Sequence, residues 1–300
     1  MTAMTAMTAP TTVSKPSSRD KLVGKKIALI GGTSGIGFGI AKVLLEHGAQ
    51  IILISSQQAN VDNAVSRLDA HQSDPSQPPV TGFVGDLRDE AAFTALLTSL
   101  APLDHVVFTS IDRVIRGPLA TADLGDARNL FGVKFWGSVV VAKALAAHDI
   151  VKPGGSLTLT SGLAALRPGK GTSIGGALNG GLITLTQGLA MELSAKRIRA
   201  NTVVPGLCRT ELWDKQGHSK EAQEEVMAKV AKELSVGFVA SPEDVAEAYL
   251  YFIRADYANG ATVVIGKWVF LLLDFWAGFV WIVARGLTDA RDFADGGAHV

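Results

Sequence analysis

The clearest chemistry in the sequence lies in LIGGTSGIG, residues 29–37. Gly31 allows a tight turn, while Gly35 and Gly37 let backbone come close to a pyrophosphate. A helix starting there turns unpaired N–H groups and its positive dipole end toward phosphate. Thr33, Ser34 and Ile36 complete this candidate phosphate cradle. Two adjacent ionisable groups, Asp112 and Arg113, follow in TSIDRVIRG, 109–117. Asp112 has the charge to stabilise a cationic substrate, and Arg113 the charge to bind an oxyanion or a cofactor phosphate. A solvated loop pair is the plainer reading of both. Lys134, in NLFGVKFWG, either reaches the ribose of a bound ligand or packs as a snorkelling lysine.

Positioning these residues requires a regular scaffold, and the hydrophobic pattern describes one. Apolar strands are expected at 26–31, 50–55, 80–87, 103–110, 155–161, 197–206 and 260–265. Helical spacing falls between them at 35–48, 60–71, 89–100, 121–148 and 177–195, with two more helices near 219–234 and 242–255. Asn60 is the expected cap of the second helix, and Gly48 the stop of the first. Such alternation implies an α/β fold: one doubly wound parallel sheet covered by helices on both faces, in a single domain. Ligands of such sheets sit at the carboxyl ends of the strands, near the point where strand order reverses.

Composition narrows the function classes. Lys plus Arg and Asp plus Glu both total 28, so no charge bias favours nucleic acid. Cys208 is the only cysteine, which excludes an internal disulfide and a cysteine-rich metal site; no metal is expected. Residues 1–20 lack an apolar run, and the thrice-repeated MTA triplet with Thr, Ser and Pro marks 1–23 as a disordered tail. A cytoplasmic protein is the expectation, with the domain spanning 24–265.

The glycine loop together with Asp86-Leu87, Asn201, the Pro205-Gly206 turn and Thr210 resembles the short-chain dehydrogenase/reductase family, over about 24–265. The resemblance implies a Rossmann fold, a nicotinamide cofactor and a small-molecule substrate. It implies cofactor contacts at Gly31, Thr33, Ser34, Gly35, Ile36, Gly37, Asp86, Leu87, Thr109, Leu207 and Thr210. It also implies a homo-oligomer, formed through the long helices 121–148 and 177–195. Ser55 stands where NAD-preferring relatives carry an acid, and Ser56 where NADP-preferring relatives often carry arginine. Without a carboxylate to repel a 2′-phosphate, NADP is the expected cofactor.

The family's catalytic set of Asn, Ser, Tyr and Lys is broken here. Ser161 keeps the serine position, but Gly175 stands for the tyrosine, Asn179 for the lysine and Lys134 for the asparagine. Moving the register by one gives Ile174 and Leu178 instead. FTSI (108–111) replaces the family's Asn-Asn-Ala-Gly stretch. The combination resembles a fungal-type branch of natural-product reductases that lack the Tyr/Lys pair. An oxidoreductase acting on a specialised-metabolite intermediate is the expectation, reducing an iminium or a reactive carbonyl. A non-redox enzyme and an NADP-binding scaffold in the same pocket are the alternatives. Ser161, Asp112, Arg113 and Lys134 are the catalytic candidates.

One segment fits none of this. Residues 266–294 separate Ile265 from Asp295-Gly296-Gly297, and 295–300 would complete the domain. The insert holds three of five tryptophans and an apolar run, 268–283, broken only by Asp274. That run is short for a membrane span of ~20 residues. A membrane anchor or a lid is one reading. Translation of a retained intron is the favoured one, because excising it in phase would restore TVVIDGGAHV.

Overall fold

The computed structural model describes residues 20–72, 77–112, 117–216 and 219–266. Its centre is a seven-stranded sheet in the order β3-β2-β1-β4-β5-β6-β7, with every pair parallel. The strands are β1 Lys26–Ile30, β2 Gln50–Ser55, β3 Thr81–Val84, β4 Leu103–Phe108, β5 Val151–Thr160, β6 Arg199–Pro205 and β7 Thr262–Ile265. Each follows a short apolar run, and β1, β2, β4 and β6 are buried along almost their whole length. Parallel strands covered on both faces are expected to read this way.

The helices are α1 Gly35–Glu46, α2 Gln58–Asp69, α3 Glu90–Ser99, α4 Leu124–Leu130, α5 Gly137–Ala147, α6 Ser173–Glu192, α7 Lys220–Glu233 and α8 Pro242–Arg254. Their starts follow local chemistry. Asp89 accepts from Ala92 N at the start of α3, and Ser241 forms a capping box with Asp244 at α8. Gly48, at φ 79°, ends α1 as its left-handed conformation allows.

Side chains on one face of the sheet, among them Phe93, Val141, Leu145 and Leu182, pack α3, α5 and α6 against it. Ile40, Leu44, Leu68 and Phe252 do the same for α1, α2 and α8 on the other face. Burying each such side chain stabilises the fold by about 1.5–3 kcal/mol before entropy is counted.

Four expectations need correction. The ordered chain starts before residue 24: Asp20–Leu22 form a 3-10 turn and Leu22 is buried against the second core face. Asn60 does not cap α2, which begins at Gln58 with Gln57 extended as its cap residue. Helix α6 begins at Ser173, four residues ahead of the expected 177. Finally, the expected continuous helix over 121–148 is interrupted. Between α4 and α5, Phe131–Trp136 widens into a π-helical turn. Phe131 and Phe135 meet in a tilted pair at 6.0 Å between centroids, and Trp136 meets Phe135 edge-on at 5.4 Å. The run 127–147 is long and apolar enough to cross a membrane by composition alone, yet it lies against the sheet and is about half buried. The tail 1–19, Arg113, and residues 267–300 with most of the insert lie outside the described residues.

Candidate active site

Strand register levels the ends that form the site. Ile30 of β1 pairs with Ile54 of β2 and Phe108 of β4, while Phe108 pairs with Leu159 of β5. The loops leaving these strands therefore open at one height, where the sheet order reverses between β1 and its two neighbours. Gly31 takes φ +85°, and a Cβ there would lie 2.7 Å from Ser110 N. A Cβ at Gly37 would lie 2.5 Å from Thr109 Oγ1 and collide with the Gly31 carbonyl. Thr109 Oγ1 donates to Gly31 O at 3.0 Å and to Ile30 O at 3.2 Å. Thr109 thus fixes the glycine turn from β4 as well as lining the space beside it.

A cavity of about 660 Å³ runs over these strand ends, within the usual range for a small-molecule or cofactor site. Every described residue named above for the cofactor lines it: Gly31, Thr33, Ser34, Gly35, Ile36, Gly37, Ser55, Ser56, Asp86, Leu87, Thr109, Leu207 and Thr210. The start of α1 opens into it with no side-chain cap from Ser34. The glycines leave room for a phosphate that any side chain would fill, so the residues present fit a dinucleotide.

Three residues in or beside the cavity wall carried no signal in the sequence. Glu211 Oε2 accepts from Gly35 N at 2.8 Å, placing a carboxylate on the helix terminus that favours anions. Arg88 donates to Asp112 at 2.6 Å and lies 3.6 Å from Asp86. Arg167 joins them in the lining. Asp112 therefore sits in the cavity wall with its charge matched by Arg88, which does not suit it to face a cationic substrate alone. Asn201, one of the residues that carry the family resemblance, is absent from the cavity lining: it donates to Ala258 O and accepts from Ala261 N.

The inner end gathers residues far apart in sequence. Lys134 is buried, and its Nζ donates to Ser161 O at 2.9 Å and to Asn179 Oδ1 at 2.8 Å. Asn179 Nδ2 donates to Gly175 O at 2.8 Å, which fixes its oxygen toward the lysine. Ser161 Oγ donates to Asn179 O at 2.8 Å. The π-helical turn places Lys134, and its carbonyl accepts from Ser138 Oγ at 2.7 Å. Lys134 is therefore neither snorkelling nor solvated. Burial alone lowers its ammonium from 10.5 to about 7.

No tyrosine lines the cavity among the described residues. Tyr249 comes near in space but from the opposite face of the sheet: its hydroxyl meets Thr160 Oγ1 at 2.7 Å, and Thr160 in turn donates to Phe108 O. Burial pushes that phenol well above its ordinary range. Cys208 also lines the cavity, its thiol pushed up to about 12 by burial first and then by nearby carboxylates.

A sequence model of the SDR-like Rossmann domain matches residues 18–272. The chain belongs to the short-chain dehydrogenase/reductase family. The short-chain dehydrogenase/reductase malC of Malbranchea aurantiaca is 34% identical over 254 residues, covering 82% of this chain and 94% of that protein. The short-chain dehydrogenase/reductase fsr5 of Gibberella fujikuroi is 33% identical, covering 81% and 93%. The solved MalC reductase/Diels-Alderase from Malbranchea aurantiaca superposes with TM-score 0.74 at 32% identity, over 83% of this chain and 98% of that one. A small-chain dehydrogenase in complex with NADPH gives TM-score 0.65 at 27% identity, over 81% and 96%. Membership and fungal short-chain dehydrogenase/reductase relatives support an enzyme of the oxidoreductase class.

Proposed function

We propose that this short-chain dehydrogenase/reductase is an NADP(H)-dependent reductase of a specialised-metabolite intermediate, acting on a reactive carbonyl or an iminium. The observation that carries this reading is one cavity that joins a glycine cradle to the Lys134–Asn179–Ser161 cluster. Gly31, Gly35, Gly37 and the start of α1 would hold the pyrophosphate. Ser55 and Ser56, in the cavity wall where β2 ends, would leave a 2′-phosphate unopposed by a carboxylate. When bound, the reduced nicotinamide supplies the hydride. The NADPH held by one solved relative and the reductase/Diels-Alderase character of MalC support the same reading. Gly175 and Asn179, at the positions of the family's tyrosine and lysine, make the catalytic set atypical. We place the enzyme in the cytoplasm, as a homo-oligomer formed through α4, α5 and α6.

Titrating the protein with NADPH and NADH tests the cofactor assignment. NADPH is expected to bind at least about tenfold more tightly, a difference of about 1.4 kcal/mol. Ser55→Asp should abolish or reverse that preference by setting a carboxylate against the 2′-phosphate. Equal dissociation constants in the unaltered protein would overturn the assignment.

A further inference from the structure

The reduction of a carbonyl creates an alkoxide that must be protonated, and the cavity offers few acids. Ser161 has committed its hydroxyl proton to Asn179 O. The Asn179 amide is not an acid. Cys208 carries a thiol that burial keeps protonated and weakly acidic. Arg88 and Arg167 hold guanidinium groups, which do not release protons in proteins. Asp112 is paired with Arg88. Lys134 differs from all of these. An ammonium has three N–H groups. Two are placed, on Ser161 O and Asn179 Oδ1, and the side chain lines the cavity.

Resting on the reductase reading, we propose that Lys134 is the proton donor of the reaction, that Asn179 and the Ser161 carbonyl position its ammonium, and that the substrate is a neutral carbonyl rather than a preformed iminium. The lysine comes from the turn between α4 and α5 and its amide partner from α6. The carbonyl carbon accepts a hydride with its electron pair. The C=O π pair moves onto oxygen, one Nζ–H bond breaks, and an O–H bond forms. The neutral amine then regains a proton from solvent. The carbonyl is reduced, the nicotinamide oxidised, and one proton is consumed overall. A cationic substrate does not fit this arrangement: the buried ammonium has no carboxylate among its hydrogen-bond partners, so a second cation set against it is repelled. The charged groups sharing the cavity, Asp86, Arg88, Asp112 and Arg167, contribute nothing to the lysine's shift, which burial alone produces.

Three measurements on the full chain test this. The first needs no turnover: with 15N-labelled lysine, the Lys134 Nζ resonance, assigned by its loss in Lys134→Met, should titrate near 7 in the cofactor-free protein. Titration at the ordinary 10.5 would overturn the proposal. The second is single-turnover loss of NADPH fluorescence with diacetyl and ethyl acetoacetate as carbonyl probes and N-methyl-dihydroisoquinolinium as the iminium probe. The carbonyls should react with a rate that falls above pH ~7, and Lys134→Met should slow them by about 100-fold or more while NADPH still binds. An iminium reduced faster than both carbonyls, or carbonyl rates unchanged in Lys134→Met, would overturn it. The third is Asn179→Asp, which sets a carboxylate beside the ammonium. The break in the pH profile should rise by about 1–3 units, a movement that a merely structural role for Asn179 would not produce; an unmoved break removes Asn179 as a positioning residue and contradicts the proposal. If wild type oxidises NADPH with none of the probes while Lys134 still titrates near 7, it is the reductase reading that fails, and the proposal falls with it. If the probes react but Lys134→Met matches wild type, only the proton-donor assignment fails.

Discussion

At Ser161 the hydroxyl does something other than face a substrate. It donates to Asn179 O and so ties the carboxyl end of β5 to α6. The backbone carbonyl of the same residue receives the Lys134 ammonium. Removing the hydroxyl should loosen that anchorage without touching the glycine cradle. A single hydrogen bond contributes about 0.5–1.5 kcal/mol. Ser161→Ala is therefore expected to slow turnover by about tenfold and leave NADPH affinity within a factor of about two. Stopped-flow rates with a fluorescence titration on the same sample check both halves, and unchanged turnover would remove Ser161 from the site. The glycine cradle was legible in the sequence because its spacing is local: four glycines within seven residues, set between a strand and a helix. The lysine cluster was not. Lys134 and Asn179 are 45 residues apart and meet only because the helices carrying them pack side by side on one face of the sheet. Each residue type was visible at its position, but their pairing depends on tertiary packing. Asp112 shows the opposite failure, since nothing in its neighbourhood in sequence announced Arg88 as its partner 24 residues away.

Among the elements, the start of α1 and the turn after β6 act on each other. Thr210 lies close to Gly35, where an added Cβ would come 3.4 Å from its side chain. The next residue, Glu211, sets its carboxylate on the Gly35 N–H. A pyrophosphate bound at this terminus must compete with that carboxylate. Charge at a helix N-terminus counts for about 0.3–1 kcal/mol. Glu211→Gln is expected to tighten NADPH binding by about two- to fivefold, measured by titration at low ionic strength. Weaker binding in the variant would mean that Glu211 supports the cofactor instead of competing with it. Element types and order were legible because buried parallel strands and amphipathic helices leave different periods in the sequence. The π-helical turn was not, because it adds one residue to a helical turn without disturbing the apolar pattern of the segment. Within it, the Phe135 ring lies against Gly181 of α6, where a Cβ would come 3.1 Å from it. The start of α2 was misplaced for a simpler reason. Asn60 is a good cap by type, yet the chain turns helical two residues earlier, leaving Asn60 in the first turn and in the cavity wall.

For the whole molecule, the sheet's reversal of order between β2 and β4 around β1 does the organising. It opens a crevice over the strand ends, and everything argued about function sits in that crevice. Alternation of strands and helices was enough to anticipate this arrangement, and the described chain from Asp20 to Gly266 bears it out. The insert was legible only as an anomaly, and it falls outside the described residues from 267 onward. Trp136 in the π-helical turn and Met191 near the end of α6 are both exposed apolar side chains. The central claim is that hydride passes from NADPH to a substrate in this crevice, although no tyrosine lines it among the described residues. The most direct test is to supply NADPH deuterated at the transferring carbon and analyse the product of a carbonyl probe by mass spectrometry. The account predicts one deuterium in each product molecule, bonded to the former carbonyl carbon. Product free of deuterium, or a probe converted while NADPH stays reduced, would contradict it and favour a non-redox use of the same pocket.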